Sequence, residues 1–159
     1  MRDMGVDRGI LMRDLGVLVS TARDRVTALQ SVAELLRSCG RYRWVGLYDV
    51  DRAAGTVTNI VWSGPEAPEY PAFPMTKGLT GAAISARKTV NVGEVTADPR
   101  YLTAFATTRS EIIVPVLDRA GENVVGTIDV ESEKPNAFPE EVQTLLEACS
   151  KMIRPLWRR

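Results

Sequence analysis

Four charged side chains near the end of the chain have the types and spacing to do chemistry: Arg109, Glu111, Asp129 and Glu131. They flank the turn DRAGE, whose three-residue loop Arg119-Ala120-Gly121 puts glycine at the left-handed position of a bulged hairpin. If Asp118 pairs with Glu122, residue i faces residue 240 minus i, so Glu111 lies opposite Asp129 and Arg109 opposite Glu131. All four side chains then share one sheet face. Directly opposed carboxylates have Cβ atoms about 4.5–5.5 Å apart and repel. Two readings stand. One acid holds a proton, or a cationic ligand sits between them; alternatively the face is solvated and Arg109 neutralises the acids.

Other chemistries are closed by composition. The chain has no histidine, which removes a histidine general base, a Ser-His-Asp triad and histidine-ligated haem or zinc. Its two cysteines, Cys39 and Cys149, imply a reducing compartment rather than a disulfide framework. No metal site or cofactor is expected. Twenty basic and twenty acidic residues give zero net charge, so no global field draws the protein to nucleic acid or an anionic membrane. The opening MRDMGVDRGILMRDLG lacks the apolar core of a signal peptide, and no run approaches the roughly 20 apolar residues of a membrane span. A cytoplasmic protein is expected, one domain over residues 1–159 with a core at about 15–157.

The elements that must position the acids follow from periodicity. Leu15, Val19, Ala22, Val26, Leu29, Ala33 and Leu36 form a heptad seam on a first helix, stopped at Gly40. RYRWVGLYDV and TVTNIVW read as a hairpin about DRAAG. Four prolines between 65 and 74 demand an extended surface loop. GLTGAAISARK reads as a short helix, TVNV as a short strand, and PRYLTAF as a helical turn opened by Pro99. SEIIVPVL and NVVGTIDVES make the second hairpin. A last helix opens near Phe138–Pro139, carries Val142, Leu145, Leu146, Cys149, Met152 and Ile153 on one face, and ends at Pro155. Strands in hairpins with flanking helices predict an α+β domain around a mainly antiparallel sheet.

KGLTGAAISARKTVNV, DPRYLTAFATTRSEIIVPV and GTIDVES together resemble the GAF family of small-molecule-binding domains over about residues 15 to 157. That resemblance implies a PAS-related central antiparallel sheet, terminal helices on one face and a ligand pocket on the other. Within the family the chain looks most like the branch that reduces free methionine-(R)-sulfoxide. Trp44, Gly46 and Tyr48 match its W-x-G-x-Y, Glu111 its pocket glutamate, and Asp129 and Glu131 its paired acids. The resemblance implies that these acids hold a substrate amino group and that the aromatic pair encloses the methyl-sulfinyl end. Trp44 and Tyr48, read alone, fit plain core better, because alternate positions on a half-buried strand are usually core. The branch needs thiolates, because its nucleophile attacks a sulfoxide sulfur. Where it places cysteines this sequence has Tyr70, Thr80 and Ala104. Bilin and cyclic-nucleotide signatures are missing too.

The expectation is a stand-alone sensor or regulatory module that binds a small polar, amino-acid-like metabolite through Trp44, Tyr48, Glu111, Asp129 and Glu131, with no catalytic residue. The rivals are a reductase using Cys39 or Cys149 and a ligand-free dimerisation module. No output domain fits in 159 residues, so any signal passes to a partner protein unless the chain is a fragment. A homodimer through the terminal helices is expected, with Leu15 to Ala22 as the contact and Arg23, Asp24 and Arg25 as a break that frees it.

Overall fold

The computed structural model describes residues 7–103 and 105–157. Helix α1 spans Arg8–Thr21 and α2 Arg25–Gly40. Strands β1 (Trp44–Asp51), β2 (Thr56–Ser63) and β3 (Ala72–Pro74) come next, then α3 (Gly78–Ala86), β4 (Val90–Val92), β5 (Ser110–Leu117), β6 (Val124–Ser132) and α4 (Glu140–Ile153). The strands form one antiparallel sheet in the order β3-β2-β1-β6-β5-β4.

Alternation along the strands sorts the chain into two layers. Val45 and Leu47 of β1, Ile112, Val114 and Val116 of β5, and Ile128 and Val130 of β6 are buried beneath α1, α2 and α4. The opposite parity puts Trp44, Tyr48 and Val50 on the other face with Phe105 and Ile84 of α3. The helices thus seal one face, and the second is left for a cavity roofed by α3 and two loops.

The first helical pattern is two helices. The chain breaks at Ala22–Asp24, and the Asp24 carboxylate accepts from the Thr27 N–H at 2.8 Å to cap α2. Leu15 is fully buried within its own chain, where α1 packs on α4, so it is a core residue and not a contact between chains. What α1 presents outward is Ile10 and Val17, seven residues apart and about half exposed. Helix α2 runs through Gly40, and the left-handed residue that ends it is Arg41, with φ 52°. The described residues of PRYLTAF do not form the expected helical turn: a 3-10 turn lies upstream at Val95–Ala97, and Pro99–Arg100 is a simple turn. The proline loop yields the short edge strand β3.

The β5–β6 hairpin is longer than expected. The Asp118 N–H donates to the Asn123 carbonyl at 2.8 Å, which makes Glu122 a fourth loop residue. Gly121 does take the left-handed conformation, φ +73°, and the Asp118 carboxylate accepts from the Glu122 N–H at 2.9 Å. A further irregularity between Val116 and Leu117 shifts the ladder again, so Glu111 faces Glu131 and Ile113 faces Asp129. Two single-residue shifts cancel in parity, and the three acids still share a face. Arg109 does not join them. It lies before β5, and its guanidinium makes a double contact with Glu94 at 2.7–3.1 Å.

Candidate functional site

Strand β1 builds the floor. Trp44 faces Glu131 across the ladder, Gly46 faces Asp129, and Tyr48 faces Thr127. A side chain at 46 would overlap the Trp44 and Tyr48 rings, so glycine there opens the space above Asp129 and lets the rings tilt toward each other. Their centroids are 6.4 Å apart at 48°. Phe105 meets Trp44 at 5.3 Å and Phe73 of β3 meets Tyr48 at 5.9 Å, giving tilted walls rather than a parallel stack. Trp44 Nε1–H donates to the Glu66 carbonyl at 3.1 Å, which ties the proline loop over the ring. Gly78, φ +68°, turns the chain into α3 so that Thr80 reaches the wall.

The structure brings all five sequence-derived residues, Trp44, Tyr48, Glu111, Asp129 and Glu131, to one cavity. It is narrow: the cavity volume is about 40 Å3, room for a few waters. Tyr70 and Leu102 stand at its mouth, each more than a third exposed, and Lys77 is exposed on the rim. Tyr70 and Thr80 occupy two of the three positions where the resemblance puts thiols; Ala104, the third, lies outside the described residues.

Glu111, Asp129 and Glu131 are 6, 7 and 1% exposed, with one oxygen of each within 4.8 Å of the others. No lysine or arginine forms an ion pair with any of them among the described residues. The Thr108 hydroxyl donates to Glu131 Oε1 at 3.0 Å, while Asp129 Oδ1 has no hydrogen-bond partner. Buried like charges must hold protons. Burial first, then the charges of Asp129 and Glu131, push Glu111 well above the usual carboxylate range. Burial lifts Asp129 to about 7 against the pull of its hydrogen bond to Glu111. Glu131 rises to about 8 through burial and the Asp129 charge, opposed by Thr108 and the more distant Arg43. The same field, after burial, raises the Tyr48 phenol. Such a site resists full ionisation near neutral pH and ionises more readily when a cation enters.

Sequence reasoning missed Phe73, Phe105, Thr108 and Lys77. They sit on loops and short edges without periodicity, and only the closed fold carries them to β1.

Helices closing one face of an antiparallel sheet, with a walled cavity on the other, define an α+β domain. The chain belongs to the GAF domain family, whose model matches residues 24–154. It is 27% identical over 143 residues to GAF domain-containing protein A of Dictyostelium discoideum, covering 90% of this chain and 87% of that one. It is 30% identical over 112 residues to the free methionine-R-sulfoxide reductase of Saccharomyces cerevisiae, covering 69% of this chain and 60% of the relative. Among solved structures it resembles the free methionine-R-sulfoxide reductase of Neisseria meningitidis in complex with its substrate, with TM-score 0.86, 28% identity, and coverage of 94% of this chain and 87% of that one. No helix among the described residues is long and apolar enough to cross a membrane.

Proposed function

We propose that this GAF domain is a sensor or accessory regulator that binds a small, polar, positively charged metabolite of amino-acid type between Trp44, Tyr48 and the three acids. One observation carries the reading: three carboxylates converge within 4.8 Å, buried, with no basic residue paired to them among the described residues. A fold keeps uncompensated buried acids at a cost in stability, so their use lies in what they receive. The cavity also argues against a pure dimerisation module. The ligand's signal passes to a partner protein, and the outward residues Ile10 and Val17 of α1 favour a homodimer through that face.

The reductases among the relatives make thiol chemistry the second reading. Against it, Cys39 and Cys149 both stand in the helical layer on the far side of the sheet. Burial pushes the Cys149 thiol up to about 12 and raises Cys39 as well, which keeps both in the unreactive form. Thr80 in the cavity wall has a hydroxyl and no histidine to activate it.

A thermal-shift screen over amino acids and their derivatives tests the first reading, and a thioredoxin-coupled NADPH assay with free methionine sulfoxide tests the second. At least one cationic or zwitterionic metabolite should raise the melting temperature, with no NADPH consumption above background. Turnover that disappears in Cys39→Ser or Cys149→Ser would replace the sensor reading with the enzyme.

A further inference from the structure

We infer that the charged group this cavity receives is a planar guanidinium, carried by a small guanidino acid; the inference rests on the reading that the cavity binds a cationic metabolite. The site makes two demands at once. Its acids ask for hydrogen-bond donors: Asp129 Oδ1 is buried and unpartnered, and carboxylates on two adjacent strands converge on the same point. Its walls ask for a weakly hydrated cation with flat faces, because Trp44, Tyr48, Phe73 and Phe105 surround the acids with tilted rings.

The common biological cations meet these demands unequally. A primary ammonium supplies donors, but it is compact and strongly hydrated, and the aromatic walls return little of the water it loses. A methylated onium suits the rings and offers no N–H to Asp129. A guanidinium meets both demands: five N–H donors lie in its plane, matched to carboxylates in pairs, and its two faces stack on aromatic rings.

The protein already builds this combination at the cavity's edge. The Arg43 guanidinium carbon lies 5.2 Å over the Phe105 ring while its N–H groups donate to Glu66 and Glu133. A ligand guanidinium would repeat that arrangement one layer deeper, on Trp44 and Tyr48 with the three acids. At the rim, Lys77 has no ion pair among the described residues and carries the charge that a ligand carboxylate requires. The narrow free space favours a short guanidino acid over a long one.

The deciding comparison uses the wild-type protein. Guanidinoacetate and arginine are titrated by calorimetry and tryptophan fluorescence at one ionic strength against citrulline, which has arginine's shape with a neutral ureido group, and against lysine, trimethylglycine and methionine. The guanidino acids should bind at least tenfold more tightly than citrulline and than lysine. Asp129→Asn, with its fold checked by circular dichroism, should lose at least tenfold of that affinity. Citrulline equal to arginine, or lysine, trimethylglycine or methionine binding more tightly than either guanidino acid, would overturn the guanidinium while leaving a metabolite-binding cavity in place. Binding by none of the six would overturn both.

Discussion

Asparagine in place of Asp129 should remove much of the domain's dependence of stability on pH between 5 and 8.5. In the folded chain Asp129 titrates at about 7 and in the unfolded chain near its ordinary 3.8, so the folded state binds the extra proton throughout the window between. The sign follows. Stability is highest below the unfolded value, declines as pH rises toward 7, and levels off above it. From pH 5 to 7 the loss from Asp129 alone is about 3 kcal/mol, two pH units at about 1.4 kcal/mol each. Glu131, raised to about 8, contributes a similar loss over three units, about 4 kcal/mol. The two titrate together, so the total falls between about 3 and 7 kcal/mol rather than at the sum. That is a large part of a typical domain's 5–15 kcal/mol.

The window is unusually clean. Glu111, raised in the same cluster, titrates with the other two. Beyond it the chain has no histidine, the buried thiol of Cys149 and the Tyr42 phenol lie near 12, and Asp24, Glu94, Asp98 and Asp118 are held below their ordinary values by hydrogen bonds. Urea unfolding followed by circular dichroism at pH 5, 6, 7 and 8.5 reads the effect directly. Wild type should weaken steadily, and Asp129→Asn should be flatter and the more stable of the two at pH 8.5. A wild-type midpoint unchanged across the window, or a variant that keeps the full slope, would refute the buried-acid argument.

Ligand affinity should move in the opposite direction: a cation prefers ionised acids, so binding tightens from pH 6 to 8.5 and releases protons, measurable as a buffer-dependent heat in calorimetry. Leu15→Ala should destabilise the fold by about 2–5 kcal/mol without altering its oligomeric state, whereas Val17→Asp should leave stability nearly unchanged and convert a dimer to a 17.5 kDa species in light scattering. Trp44→Ala, which empties a fully buried site and releases Glu66, should cost about 3–5 kcal/mol in unfolding experiments.

The two hairpins, the terminal helices and the face on which the acids lie were legible because periodicity is a local property, and because a side chain's face depends only on parity. The pairing of the acids was not legible. Glu122 joined the loop and the ladder slipped between Val116 and Leu117, neither of which has a signal in DRAGENVV, so Glu111 met Glu131 instead of Asp129. Arg109 was misplaced because β5 begins only at Ser110, which leaves residue 109 outside the ladder and free to pair with Glu94. The heptad seam was real as spacing, but Asp24 could cap a new helix, and Leu15 found its partners on α4. The aromatic walls from Phe73 and Phe105 depend on loop closure, which no short-range pattern encodes.

Residue 48 belongs to both halves of the molecule. Its ring lines the cavity, while its carbonyl accepts from Trp157 Nε1–H at 3.2 Å on the helical side. Trp157 lies in turn under the Arg25 guanidinium, which grips Asp49 at 2.6 Å and the Leu156 carbonyl at 2.7 Å. A ligand that only rotates the tyrosine ring leaves this clamp untouched. A ligand that displaces the backbone of β1 must strain or break it, so strand movement in the cavity becomes a movement of the segment after α4 and of the start of α2. The sheet, in that sense, works as a diaphragm between the two faces, and the clamp at Trp157 is the point where its deflection would be read.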